Sequence, residues 1–132
     1  VCIVCGNIKD DSGTIDAPIG RHPADRKKMA VTEKNSRSAV THWRVLERFS
    51  GYTLVECKLE TGRTHQIRVQ LGSRDCPVCG DRKYGAKADG PLGLWSYQIA
   101  FFHPQTNEHL VFTHDPPQTE PWLAFFDTLK EK

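Results

Sequence analysis

The 132 residues carry 18 Lys and Arg against 16 Asp and Glu, a formal charge of +2, with 38% hydrophobic and 26% charged residues. That suits one globular domain with a modest core and leaves no room for two. No uninterrupted apolar run approaches the roughly 18 residues of a membrane span, so a soluble, cytoplasmic protein with no membrane partner is the expectation.

The chain opens with VCIVC, residues 1–5, an apolar β-rich run that Gly6 and Asn7 end. Asp10, Asp11, Ser12 and Gly13 signal a turn, and residues 14–19 read as extended because Pro18 blocks a helix. Residues 20–28 form a basic loop, and residues 29–32 a short strand. In residues 39–49 the side chains alternate, with Ala39, Thr41, Trp43, Val45 and Phe49 on one side and His42, Arg44 and Arg48 on the other. Ser50 and Gly51 turn that half-buried strand into residues 52–60, which predicts a hairpin.

Residues 64–71 predict a short helix. Ile67 and Leu71, four apart, face the core, while Thr64, His65 and Arg68 share another face. Gly62 stands just before it, where a tight turn would fix the direction of the polar side chains. Residues 75–90 are loop-rich. Strands at 95–102 and 109–114 are joined by a turn at 104–107, and a last helix opens at Thr119, Glu120 and Pro121. There Trp122, Phe125, Phe126 and Leu129 repeat at the spacing that docks a helix on a sheet. The sum is an α+β fold, with a mixed, mostly antiparallel sheet and a few packed helices.

The near-neutral total hides a local excess. Arg21, Arg26, Lys27, Lys28, Lys34, Arg37 and Arg44 are opposed in their region only by Asp25 and Glu33. Five cysteines, an odd number, argue for reduced thiols over a disulfide framework. Cys2, Cys5, Cys76 and Cys79 have the spacing of a four-cysteine zinc site. If residues 1–5 are a strand, however, Cys2 and Cys5 point to opposite faces, and no metal is expected.

LETGRTHQIRV at 59–69, followed by PVCGDRKYG at 77–85, resembles the RluA-type RNA pseudouridine synthase family. GTIDAPIGR at 13–21 and FHP at 102–104 are similar to the same family in the same order. The resemblance implies a pseudouridine synthase-like fold, with residues 1–132 as the C-terminal part of a single catalytic domain incomplete at its N-terminus. The reaction it implies breaks the bond from ribose C1′ to uracil N1 and joins C5 to C1′, without metal or organic cofactor. Arg68 matches the arginine that pairs with a nucleophilic aspartate, and Ile67 packs in the core or lines the base pocket.

RNA, ribosomal or transfer, is the implied partner. Arg21, His22, Arg26, Lys27 and Lys28 are the expected phosphate-gripping loop. Arg63 is divided between a phosphate contact and a solvated charge, and His65 and Gln66 between holding the turn and touching RNA. Asp81 reads as a turn cap and Tyr84 as a packed ring. The family's histidine-arginine-leucine-aspartate type motif does not occur, and its base-stacking tyrosine aligns just before Val1. Two readings follow: a piece of a longer synthase, inactive alone and prone to self-association through an uncovered edge, or a non-catalytic RNA-binding module.

Overall fold

Runs of Val, Ile, Thr and Trp take up strand wherever turn-forming residues bound them. The computed structural model describes residues 1–6, 8–25, 27–125 and 128–129. In chain order its strands are β1 (Cys2–Cys5), β2 (Ser12–Asp16), β3 (Ile19–Arg21), β4 (Met29–Val31), β5 (Ser36–Arg37), β6 (Val40–Phe49), β7 (Tyr52–Leu59), β8 (Gln98–Phe102) and β9 (His109–Thr113). The α-helix α1 (Gln66–Gly72) follows β7. A four-stranded sheet runs β1-β7-β6-β2, a three-stranded sheet runs β4-β3-β5, and β8 and β9 form a separate ribbon. Every named strand pairing among the described residues is antiparallel. The fold is α+β, as the sequence implies.

β1 explains why VCIVC shows no apolar–polar alternation: both of its faces are covered. Val1 and Ile3 pack with Leu54, Trp122, Phe125 and Leu129 on one side. Cys2 and Val4 pack with Val55, Trp43, Leu71 and Val78 on the other. Full burial of a Val, Leu or Ile side chain stabilises by about 1.5–3 kcal/mol, so these two layers anchor the domain.

Several expectations change in detail. The extended stretch at 14–19 breaks at Ala17 and Pro18, where the chain leaves one sheet for the other. Phe49 does not share a face with Trp43. A bulge shifts the β6–β7 register between Val45 and Glu47, and Phe49 emerges exposed. Among the described residues the last helix shows as a 3₁₀ turn at Leu123–Phe125 and as α-helix at Thr128 and Leu129, and Trp122, Phe125 and Leu129 are buried as its spacing implied. Phe126 lies outside the described residues. No helix among the described residues is long and apolar enough to cross a membrane.

α1 is wedged between the two sheets. Leu71 enters the layer with Trp43, while Val69 meets Ile19 and Ala39 beneath the smaller sheet. The polar residues between them are buried as well. Gln70 accepts from the Thr41 hydroxyl at 2.6 Å and donates to the Ala17 and Ala39 carbonyls at 3.1 and 2.9 Å. Gln66 donates to Val40 O and Thr41 Oγ1, and accepts from the Thr61 hydroxyl and the Arg63 amide. These bonds lock the helix and the turn before it to β6, because a buried amide left unpaired is costly.

Candidate active site

The turn into α1 is fixed by a residue other than the one the sequence singled out. Gly62 is not left-handed, and a Cβ added there would meet nothing within 4 Å. His65 takes the left-handed conformation instead, at φ 54° and ψ 26°. Its side chain is thereby set beside Tyr84, with Nδ1 2.7 Å from the phenol oxygen and the rings edge to face at 5.5 Å.

One turn further on, Arg68 meets Asp81. Nε donates to Oδ2 and Nη2 to Oδ1, each at 3.0 Å, and the Asp81 side chain is only 1% exposed. Asp81 therefore does not cap the 3₁₀ turn at Arg82–Tyr84, which has no side-chain cap. It is the buried anchor of Arg68. A parallel two-point pair of this kind fixes the plane of the guanidinium as well as its position. The hydrogen bonds that Arg68 donates to Asp81 also push the Arg68 pKa up, against a smaller opposing effect of burial. The Tyr84 ring lies beneath the guanidinium, 5.0 Å from Cζ to centroid. Arg68 Nη1 has no hydrogen-bond partner among the described residues, so one edge of the fork can still meet an incoming oxyanion.

Ile67, which precedes Arg68 in the chain, is half-buried against the layer of Cys2, Val4 and Val55. It helps to line a groove of about 560 Å³ with Val1, Leu94, Trp95, Tyr97 and Ile99. Its apolar residues, mixed with Glu56, Lys58 and Gln98, suit contact with a flat, uncharged base.

The basic loop is less free than its composition suggests. His22 turns its ring inward, and Nδ1 accepts from the Ala24 and Asp25 amides at 3.1 and 3.0 Å. The His22 amide donates to Lys28 O, closing the loop between β3 and β4. Arg21 and Lys27 are exposed and Lys28 half-exposed, while Arg26 lies outside the described residues. Arg63 is tied to the Ser38 carbonyl through Nε at 2.8 Å. The loop nonetheless reaches the Arg68 cluster, because the Met29 amide at its exit donates to the Tyr84 hydroxyl at 3.0 Å.

Burial lowers the His65 pKa, and the positive charges of Arg68 and Lys83 add to that effect against the pull of Asp81. The cysteines separate as a strand requires. Cys2 lies 3.9 Å from Cys57 and Cys5 lies 3.6 Å from Cys79, on opposite faces of β1. Cys5 and Cys79 thus meet, but Cys2 lies on the other face of β1, and no group of three or more metal-ligating side chains forms among the described residues. Burial and the hydrogen bond with Cys5 push the Cys79 thiol up to about 12.

Sequence reasoning missed Asp81 as the partner of Arg68, Tyr84 as the residue they share, and the buried role of Gln70. The available signal was an aspartate in a glycine-bounded loop a short way beyond an arginine flanked by apolar residues.

Residues 1–73 match the family described as RNA pseudouridylate synthase. The chain belongs to that family. A protein named "Uncharacterized RNA pseudouridine synthase YlyB" from Bacillus subtilis is 48% identical over 132 residues, covering 98% of this chain and 43% of that protein. "Ribosomal large subunit pseudouridine synthase D" from Nitrosomonas europaea is 41% identical over 128 residues, covering 89% of this chain and 37% of that protein. The chain thus spans less than half the length of these curated relatives. Among solved structures, human RNA Pseudouridylate Synthase Domain Containing 1 superposes with a TM-score of 0.77 at 21% identity. That superposition covers 99% of this chain and 64% of the human chain, and it shows the shared fold.

Proposed function

We propose that these residues act within an RNA pseudouridine synthase that isomerises uridines in ribosomal or transfer RNA. The observation that carries this reading is the two-point pair of Arg68 with the buried Asp81, which leaves the Nη1 edge of the guanidinium without a partner among the described residues. A nucleophilic aspartate, for which the 132 residues hold no matching motif, would be supplied by another part of the polypeptide and oriented by that edge. A nearby guanidinium keeps such a carboxylate ionised.

In the reaction the C1′–N1 bond breaks and N1 takes up a proton. The base turns, C5 bonds to C1′, and the C5 proton leaves to water. No electron carrier or metal enters this balance. Ile67 would line the base pocket, and Arg21, Arg26, Lys27 and Lys28 would hold phosphates in a salt-dependent manner. His22 would serve by shaping that loop, and Arg63 by fixing the turn before α1. Extrusion of the uridine costs a few kcal/mol, which phosphate contacts offset.

We also propose self-association of the isolated chain. Among the described residues β7 is paired on its β1 side from Tyr52 to Val55, and its continuation lies beside the apolar β8–β9 ribbon.

The test is tritium release from 5-tritiated uridine in ribosomal and transfer RNA, comparing the 132 residues with a longer form that carries the aspartate motif. Release by the longer form alone is expected. No release by a folded longer form on either RNA would overturn the proposal.

A further inference from the structure

We propose that Tyr84 is a positioning residue: it joins the basic loop to Arg68 and fixes His65 as an uncharged hydrogen-bond donor to an RNA oxygen. The inference rests on the RNA-binding reading above and assigns a chemical role within that site.

The argument follows from counting protons at one oxygen. The Tyr84 hydroxyl lies 3.0 Å from the Met29 amide, which can only donate, so the phenol oxygen accepts there. Its own proton then needs an acceptor. The one other group bonded to it among the described residues is His65 Nδ1, at 2.7 Å. If Nδ1 instead carried a proton, the phenol proton would have no acceptor among the described residues. The satisfied arrangement is therefore Tyr84 O–H donating to a bare Nδ1, which places the imidazole proton on Nε2.

Nε2 has no hydrogen-bond partner among the described residues. The groups that face the ring are Arg68 and Lys83, which resist a second proton, and Asp81, which favours one less strongly than they and burial oppose it. His65 thus offers a neutral N–H within the electrostatic reach of Arg68, and the left-handed backbone at His65 sets its direction. A neutral donor can bind a phosphate or carbonyl oxygen without adding a second cation beside the arginine.

The same phenol ring lies under the Arg68 guanidinium, and its hydroxyl holds the first residue of β4. A shift of the loop on gripping phosphates would be felt at Tyr84, and through it at His65 and Arg68. Two independent routes bind Tyr84 in place. Its amide donates to Asp81 O, and its carbonyl lies so close to Gly72 that a Cβ there would come within 2.4 Å.

Tyr84→Phe keeps the ring and removes only the hydroxyl. Nitrogen-15 NMR of the histidines, with His65→Gln assigning the resonance, should find the His65 proton on Nε2 in the unaltered protein. In Tyr84→Phe a tautomer mixture and a raised titration midpoint are expected. A proton on Nδ1 in the unaltered protein, or nitrogen shifts unchanged by the substitution, would overturn the proposal. In the longer, tritium-releasing form, Tyr84→Phe should lower kcat at least about fivefold with KM within about twofold. An unchanged kcat, or a rise in KM alone, would also overturn it. Absence of tritium release by the unaltered enzyme would defeat the synthase reading, and the NMR result would still decide the role of Tyr84.

Discussion

The Arg68 cluster and the β8–β9 ribbon meet solvent in opposite ways. Around Arg68, charged and polar side chains are withdrawn from water and bonded to one another: Asp81 to Arg68, Tyr84 to His65, Gln70 to Thr41. On the ribbon, large apolar side chains stay in water, with Ile99 59% and Phe112 56% exposed. Phe101 and Phe112 stack on each other at 5.9 Å. The difference is one of specification. Directional bonds hold the cluster in one geometry, whereas an exposed two-stranded ribbon has little to hold it beyond its own ladder.

The largest effect should come from breaking the cluster at its charge. Arg68→Ala would strand a buried carboxylate and destabilise the fold by about 3–5 kcal/mol, read from urea unfolding. Adding Asp81→Asn to Arg68→Ala should recover part of that loss, since no ionised group is then left buried. Full additivity of the two substitutions would contradict the pairing.

Next in size is Gln70→Leu. It removes the acceptor of the Thr41 hydroxyl and the donor to two buried carbonyls, at a cost of about 1–3 kcal/mol. Denaturation showing no loss would mean that α1 is held by its apolar residues alone.

A smaller effect is expected from pH. His65 has a lowered pKa in the fold, so between that value and the ordinary value near 6.5 the unfolded chain binds a proton that the folded chain does not. Stability contributed by neutral His65 is therefore complete above about pH 7.5 and declines as the pH falls through about 6.5. Melting curves of His65→Gln should show a shallower acid-side decline than the unaltered protein.

The smallest change in stability belongs to the ribbon. Phe112→Thr should alter unfolding by no more than about 0.5 kcal/mol, while making sedimentation less dependent on concentration. A large loss of stability would show that the ribbon is part of the core, and the contrast with the Arg68 cluster would fail.

Where the physics is local, the sequence was a good guide. The β6–β7 hairpin follows from alternation and the Ser50–Gly51 turn, and α1 lies within two residues of its expected start. The fate of Cys2 and Cys5 followed from strand geometry alone. What escaped was set by tertiary partners. Asp81 looked like a turn residue because its role depends on Arg68, 13 positions away in the chain. The bulge in β6 adds one residue to a strand without any glycine or proline to mark it, so the side assigned to Phe49 was wrong. His65 rather than Gly62 took the left-handed turn because its side chain is held by Tyr84, a bond no local pattern announces. Burial makes Gln70 a bridge from α1 to Thr41 and to the linkers at Ala17 and Ala39, contacts that its place in the sequence does not announce.

The most direct measurement of the central claim is tritium release from 5-tritiated uridine by the longer, motif-bearing form carrying Arg68→Lys. The lysine keeps a positive charge beside Asp81 but loses the planar fork. Turnover reduced by at least about a hundredfold, with melting and RNA affinity close to the unaltered enzyme, is the expected result. Undiminished turnover would contradict the account, because the fixed plane of Arg68 would then have no part in the reaction.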